Sequence, residues 1–253
     1  MVIFALIFRP LVASVGFEWT IRVIAFIVLA GQLVSIAVLR QRPSPSIPRK
    51  LLDLTAFREA RFNIFCLASV FMFAGAYTPF FFIAIFGQEK LGISQRMSDN
   101  MLAISGAGST LGRIVPGLMM ARYGALPVFS IFILICGFFQ FIWGAVHTLG
   151  GLMSFSFFYG FFGGGVAGIV PVACIEMSPS IHIAGTRVGM IFFIGSIGAL
   201  VGNPIAGAIL NGKSSFDGVQ AFSGAVLLFS SVAVLIAWEL LQKHRKSKVN
   251  HYA

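Results

Sequence analysis

Arg113 is the residue whose type and position most strongly indicate chemistry. It lies well inside an apolar stretch, 101–120, and Ser105 and Ser109 precede it at fourfold spacing. On a helix the three side chains fall within an arc of about 80° and form one polar face. A guanidinium can hold a carboxylate through two parallel hydrogen bonds. The pattern indicates either binding of a small organic anion at Arg113, Ser109 and Ser105, or an Arg113 that anchors the cytoplasmic end of its helix.

Tyr77 is a further candidate for substrate binding, because it lies beside a proline within an apolar stretch. The segment Tyr77-Thr78-Pro79 brings two polar side chains to a point where a helix is interrupted. Interrupted helices are common in packed membrane bundles and also mark the bending helices of transporters. Other apolar stretches contain Pro116, Pro171 and Pro204.

The sequence gives little support for catalysis. It contains no combination of Ser, His and Asp, no paired carboxylates and no metal-ligand spacing that would indicate an active site. Gly106, Gly108 and Gly112 imitate a dinucleotide fingerprint, but they lie within an apolar stretch and follow no strand, so close helix packing is the better interpretation. We therefore expect no enzyme activity, no cofactor and no metal.

The composition places these residues in a membrane. Of the 253 residues 58% are hydrophobic and 10% charged, whereas about a quarter of the positions in a soluble domain are charged. Seven apolar stretches approach the length of about 20 residues that a helix needs to cross a bilayer. Helices satisfy their own backbone groups in lipid, so the predicted fold class is all-α, a polytopic transmembrane helix bundle. The stretches are 19–39, 62–86, 101–120, 126–146, 149–174, 188–210 and 219–241.

The basic residues indicate the orientation. The net charge is +10, and most of the 18 Lys and Arg residues fall in loops and a tail on one side of the bundle. The positive-inside rule places that side, with the basic tail 243–253, in the cytoplasm. The charge therefore needs no nucleic acid as a partner. We expect an integral multi-pass protein that contacts membrane lipid, with the plasma membrane as its location.

A basic segment at 40–61 is predicted to be a cytoplasmic linker. Its prolines favour an extended start, and Leu51, Leu54 and Phe57 at threefold spacing predict a short helix on the inner membrane surface. After it, 62–242 holds six apolar stretches joined by short loops. Before it, 1–39 holds an apolar stub, 2–8, and one span, which we interpret as the remnant of an N-terminal half.

The segment from Gly112 to Gly124 resembles the loop signature of the major facilitator superfamily, G-x-x-x-D-R-x-G. Gly117, Arg122 and Gly124 match, and Ala121 stands where the family usually has Asp. Glu176 and Arg187 flank a predicted inner loop, 178–186, and could pair to clamp the helix ends. The predicted gating residues are Gly117, Arg122, Gly124, Glu176 and Arg187.

The wider chain is similar to the monocarboxylate porter branch of that family, particularly its fungal members, through segments 52–57, 75–80 and 185–190. The resemblance implies the C-terminal six-helix half of a major facilitator fold plus one preceding transmembrane helix. It also implies symport with protons and an Arg in the eighth helix that binds the substrate carboxylate. Arg113 matches that Arg, while Ser109 stands where the branch has an Asp.

These observations predict a fragment of a secondary transporter for a small organic anion, either a monocarboxylate or an acidic natural product, that works by alternating access with a missing N-terminal half. Two alternatives stay open. One is a nontransporting truncated remnant, because one half cannot alternate access alone. The other is a seven-helix receptor, which seven spans and the Ala121-Arg122-Tyr123 triplet would allow.

Overall fold

The computed structural model describes residues 2–39, 51–213 and 216–252, and every regular element in these ranges is a helix. The chain divides into two compact units, Met1–Pro48 and Arg49–Ala253. The boundary between them falls in the predicted linker, whose residues 40–50 lie outside the described ranges. The predicted all-α fold class is confirmed.

The first unit contains one long helix, α1, at Val2–Val38. Gly16 interrupts it with a φ of 80° and a ψ of 168°, a backbone conformation that glycine adopts without steric cost. The apolar stub 2–8 lies in the helical segment that precedes Gly16, and its assignment to the remnant of an N-terminal half stays a prediction. The segment Ser14–Val38 is long and apolar enough to cross a membrane.

The second unit begins with a short 3₁₀ helix, Leu54–Arg58, and continues as eight α-helices. A 3₁₀ helix has three residues per turn, so Leu54 and Phe57 lie on one face, while Leu51 precedes the helix. All three are exposed. The α-helices are α2 Ala60–Ala76, α3 Thr78–Leu91, α4 Gln95–Gly112, α5 Val115–Tyr123, α6 Ala125–Trp143, α7 Leu149–Met177, α8 Ile181–Lys213 and α9 Phe216–Tyr252.

Prolines divide two of the predicted spans into helix pairs. Pro79 follows the break between α2 and α3, and Pro116 follows the break between α4 and α5. A proline has no N–H for the carbonyl four residues earlier, here those of Gly75 and Gly112, but its fixed φ suits the first turn of a new helix. The two pairs α2–α3 and α4–α5 are therefore each interrupted just before a proline.

Six segments in the described residues are long and apolar enough to cross a membrane, whereas the sequence predicted seven. The missing one is 101–120. It is divided between α4, whose first turns are polar, and α5, which has only nine residues. The other six predicted spans are confirmed as membrane-length helices, with α2 and α3 together forming one of them.

The helices of the second unit pack through small residues. On α8, methyl groups placed on Gly198 and Gly202 would overlap the backbone carbonyls of Val70 and Ala74 on α2. Such contacts let two helix backbones approach closely, which is how helices associate in lipid. By contrast Gly189, also on α8, faces open space.

Substitution of Gly198 by Ala should therefore destabilise the protein, because the added methyl group forces α8 away from α2. We expect Gly198→Ala to cost about 1–3 kcal/mol, the usual range for overpacking. Thermal unfolding in detergent, followed by tryptophan fluorescence, measures the change. Gly189→Ala is the matched control on the same helix and should unfold like the wild type; an equal loss in both variants would contradict this account of the packing.

Candidate functional site

Arg113 lies at the break between α4 and α5, where it is the residue that follows the last turn of α4. Its side chain is exposed and has no hydrogen-bond or ion-pair partner among the described residues. At 1.5 Å per residue it lies about 15 Å along the helix from Tyr123, the end of α5. A charge within a bundle that crosses a membrane needs a partner or a water-filled cavity.

The two predicted companions of Arg113, Ser105 and Ser109, are buried where α4 packs on α7. Their exposed fractions are 3% and 7%. Methyl groups on Gly160 and Gly164 of α7 would collide with the backbones of Ser105 and Ser109, respectively. The two serines therefore contribute to close helix packing and do not present an open polar surface in this structure.

Arg113 lies one turn beyond Ser109 on the same face of α4, at the end of its contact with α7. A methyl group on Gly168 would lie 3.7 Å from the Cγ of Arg113, an ordinary contact distance. Gly168 and its neighbour Ala167 are exposed on α7. The stripe of Ser105, Ser109 and Arg113 thus runs parallel to the stripe of Gly160, Gly164 and Gly168, and only its last member reaches an open surface.

Tyr77, the fourth predicted binding residue, lies on the other interrupted pair. It is 37% exposed at the break between α2 and α3, and its ring stacks on Phe73 at a centroid distance of 6.1 Å. It lines a small cleft with Gly163 and Ala167 of α7. Gly163 and Gly168 are about 7.5 Å apart along the helix axis. Within segment 163–168 of α7, Tyr77 therefore lies near Gly163 and Ala167, and Arg113 lies near Gly168.

We define the candidate site as Tyr77, Arg113 and the exposed α7 residues Ala167 and Gly168. Two of its side chains come from helix breaks, and the two α7 residues are small enough to leave room for a ligand. A guanidinium and a phenol beside small apolar residues can bind a carboxylate with an apolar body.

Two buried side chains that were not predicted from the sequence support the break at Tyr77. The amide of Gln140 on α6 donates hydrogen bonds to the carbonyl of Gly75, at 3.4 Å, and to the hydroxyl of Tyr159, at 3.0 Å. The Tyr159 hydroxyl on α7 donates to the carbonyl of Ala76 at 2.9 Å. The carbonyls at the end of α2 are thus bound by side chains. The sequence did contain a signal, since an amide within an apolar helix is costly unless it is hydrogen-bonded.

Replacing Tyr159 by Phe should destabilise this break, because the partly buried carbonyl of Ala76 loses its donor. The expected cost is about 1–3 kcal/mol. The measurement is again thermal unfolding in detergent. Tyr123→Phe, at an exposed residue, is the matched control and should leave the unfolding temperature unchanged. Unfolding of Tyr159→Phe at the wild-type temperature would show that the hydroxyl does not stabilise the break.

The predicted gating residue Glu176 caps α6. Its carboxylate accepts hydrogen bonds from the backbone N–H groups of Ala125, at 2.7 Å, and Leu126, at 3.3 Å. A negative charge is favourable at a helix N-terminus. Arg245 on α9 lies 3.8 Å from the same carboxylate and donates to the Glu176 backbone carbonyl. The predicted ion pair between Glu176 and Arg187 is therefore wrong, because each residue is paired elsewhere.

The remaining residues of the loop signature lie around the junction of α5 and α6. Gly124 has a φ of 87°, a conformation that favours glycine, and lies beside Glu176. Arg122 is exposed, with its guanidinium 5.5 Å from the centre of the Tyr123 ring. Gly117 faces open space on α5. The structure thus brings Gly124 and Glu176 together, while a gating role for these residues stays a prediction.

Arg187 is the most deeply buried charged side chain in the described residues, at 1% exposure. It lies in the second turn of α8, since α8 begins at Ile181 and shortens the predicted loop 178–186. Its guanidinium binds Asp53 at 2.8 Å and Glu59 at 2.6 Å. Arg61 also binds Glu59, at 2.7 Å. This cluster of Asp53, Glu59, Arg61 and Arg187 fastens the segment before α2 to α8.

The charge cluster shifts the titration of its two carboxylates. The hydrogen bond from Thr55, opposed by burial and supported by the hydrogen bond from Arg187, holds the pKa of Asp53 below its usual value. Burial by itself would raise the pKa of Glu59, but hydrogen bonds from Arg187 and Arg61 outweigh it and lower that pKa. Both groups therefore stabilise the fold in their charged form.

The stabilisation by Arg187 should depend on pH. Because both folded-state pKa values are lowered, it is fully present above about pH 5 and is lost as the pH falls through the carboxylate range. Removing one partner of a buried pair costs about 3 kcal/mol, so Arg187→Gln should unfold well below the wild type at pH 7, and the gap should narrow at pH 4. Arg122→Gln is the control for loss of an exposed charge. A gap that does not change with pH would contradict the assignment.

The fold defines a polytopic membrane protein in which two interrupted helix pairs, α2–α3 and α4–α5, pack against α7. The chain belongs to the Major Facilitator Superfamily, whose sequence model matches residues 64–252. Membership of this family argues against the alternative of a seven-helix receptor.

The relatives are fungal transporters. The chain is 34% identical over 224 residues to the aspyridones efflux protein apdF of Emericella nidulans, covering 88% of this chain and 46% of the relative. It is also 34% identical over 238 residues to the MFS-type transporter dbaD of the same organism, covering 93% of this chain and 54% of that protein. The chain thus spans about half the length of these relatives.

Solved structures support the fold. A crystal structure of the E. coli fucose:proton symporter FucP is similar with a TM-score of 0.64 and 15% sequence identity, over 89% of this chain and 55% of FucP. At this level of identity the similarity concerns the fold alone.

Proposed function

We propose that the chain forms the C-terminal half of a transporter that exports a small organic anion, and that Arg113 binds the carboxylate of that anion. The observation that carries the proposal is the position of Arg113. It is exposed, it has no partner among the described residues, and it lies deep along an interrupted helix. Ionisable residues at such depth usually mark a substrate or ion pathway.

The geometry of the site suits a carboxylate with an apolar body. A guanidinium offers a planar pair of donors to a carboxylate. Tyr77 adds a hydroxyl beside Ala167, and Ala167 and Gly168 are small, exposed residues of α7.

Export of an acidic natural product is our first choice of substrate class. The relative named for aspyridone efflux supports export of a natural product. A monocarboxylate is the second choice, because Arg113 matches the carboxylate-binding Arg of the monocarboxylate porter branch. We place the transporter in the plasma membrane, with the C-terminal tail in the cytoplasm.

Coupling to protons, which the branch implies, would not use the usual carboxylate position. Ser109 stands there, it does not titrate, and it is packed against Gly164. A coupled proton would therefore be carried by another group of the complete transporter. FucP is a fucose:proton symporter, but that property belongs to FucP, whose similarity to this chain concerns the fold.

Alternating access uses two halves that rock against each other around a central site. In this proposal the described second unit supplies one wall of the site, and an N-terminal half supplies the other. A chain that binds the anion but does not move it across a membrane would correspond to the alternative of a nontransporting remnant.

Arg113→Gln should weaken binding of an organic acid by about 10- to 100-fold, since hydrogen bonds to a charged group are worth about 1.5–3 kcal/mol. Arg113→Lys keeps the charge but loses the paired donors, so its affinity should fall between that of the wild type and Arg113→Gln. Equilibrium binding of a radiolabelled aromatic carboxylic acid to the purified protein measures the effect.

Arg96→Gln is the matched control, because Arg96 is an exposed arginine near the other end of α4. It should bind the acid like the wild type. Uptake of the same acid into vesicles, measured for all variants, then separates transport from binding. Equal binding by the wild type and Arg113→Gln would overturn the role of Arg113.

A further inference from the structure

We propose that a groove between the start of α2 and the end of α9 binds the headgroup phosphate of an anionic phospholipid. The groove lies at the end of the second unit where α2 begins and α9 approaches its C-terminus, and its volume is about 340 Å³. Its lining residues are Arg58, Glu59, Ala60, Arg61, Leu240 and His244. A basic rim over an apolar residue at a helix end is the pattern that suits lipid headgroups.

The groove is positively charged although Glu59 contributes a carboxylate to it. That carboxylate is held by Arg187 at 2.6 Å and by Arg61 at 2.7 Å, so its charge is compensated within the cluster. Arg58 has no ion-pair partner among the described residues, and neither does His244. Both side chains are exposed. The guanidinium of Arg58 is thus available for a phosphate, with the His244 imidazole as a second donor.

The position of the groove selects a lipid over a dissolved phosphate. Both α2 and α9 belong to segments of membrane-crossing length, Ala60–Leu91 and Phe216–Ser247, so their adjoining ends lie at the level of the headgroups. On the adjacent 3₁₀ helix, Leu54 and Phe57 are 69% and 43% exposed. Exposed apolar side chains beside a basic rim are typical of a segment that lies on a membrane surface.

The predicted cytoplasmic position of this end of the bundle is consistent with an anionic phospholipid as the ligand. The basic residues at this end, on which the predicted cytoplasmic orientation rests, include Lys243, Arg245 and Lys246 on α9. Anionic phospholipids are concentrated in the cytoplasmic leaflet, where each nearby Lys or Arg strengthens attraction. The groove is also separate from the candidate anion site, because Tyr77 lies about 25 Å along the helix from Ala60.

The lipid would connect two parts of the second unit. Arg58 belongs to the segment that Arg187 fastens to α8, whereas His244 belongs to α9. A phosphate that contacts both side chains bridges this segment to α9. Lipid binding should therefore raise the unfolding temperature of the protein as well as occupy the groove.

The test uses the purified full chain in detergent micelles that contain either dioleoylphosphatidylserine or dioleoylphosphatidylcholine. Lipid binding is followed by native mass spectrometry and by thermal unfolding. We expect phosphatidylserine to bind more tightly than phosphatidylcholine and to raise the unfolding temperature. Arg58→Gln should weaken phosphatidylserine binding about fivefold, in line with one basic residue near an anionic surface. The double variant Arg58→Gln with His244→Gln should lose the preference for phosphatidylserine.

Lys246→Gln is the matched control. It removes a positive charge from the same end of α9, but at about 100° per residue Lys246 lies on nearly the opposite face from His244. It should lose clearly less affinity for phosphatidylserine than Arg58→Gln does, because only general attraction to the anionic surface is reduced. Equal losses of phosphatidylserine affinity in Lys246→Gln and Arg58→Gln would show that only the total positive charge matters, and would overturn the proposed site. Protection by inorganic phosphate at the concentrations effective for phosphatidylserine would assign the groove to free phosphate and also overturn the proposal.

Discussion

Backbone carbonyls that lose their helical partners must find other donors inside a membrane, and this constraint underlies the structure around the candidate site. Pro79 withholds an N–H from Gly75, so the end of α2 depends on side chains from its neighbours. Gln140 and Tyr159 supply the hydrogen bonds from α6 and α7. Because unpaired backbone groups in hydrocarbon cost several kcal/mol, the break at Tyr77 is stable only while α6 and α7 stay in place. A helix break that presents Tyr77 is therefore a property of the packed unit and not of α2 and α3 alone.

Close packing of small residues provides the rest of the support. The glycines of α7 meet α4 and those of α8 meet α2 at backbone contact, so both interrupted pairs lie against continuous helices. Where the contact between α4 and α7 ends, Arg113 emerges beside Gly168. At one end of the unit, Arg187 binds Asp53 and Glu59 and fastens the segment before α2. Close packing and the compensated charge cluster account for the structural polar groups, whereas the exposed guanidinium of Arg113 stays available to a ligand.

Much of the fold follows from the sequence, and less of the site does. Apolar length predicts six of the membrane-crossing segments, and Pro79 and Pro116 mark both helix breaks. Arg113 is recognisable because a charge in an apolar stretch has few uses. The sequence does not show that Ser105 and Ser109 face α7, because a stripe of polar and small residues fits both an open face and a close helix contact. The predicted Glu176–Arg187 pair is wrong for a related reason, since residues that flank a loop can each bind a nearer partner elsewhere. Arg187 binds Asp53 and Glu59, and Glu176 lies beside Arg245.

The central claim is that water and an organic anion reach Arg113 at mid-membrane depth beside α7. Reaction of an introduced cysteine with a water-soluble, negatively charged thiol reagent measures this most directly, because the native Cys66, Cys136 and Cys174 are buried. Ala167→Cys should react readily, Ser109→Cys should not, and an organic acid should protect Ala167→Cys only while Arg113 is retained. An unreactive Ala167→Cys, or one that reacts only with a lipid-soluble reagent, would contradict the account.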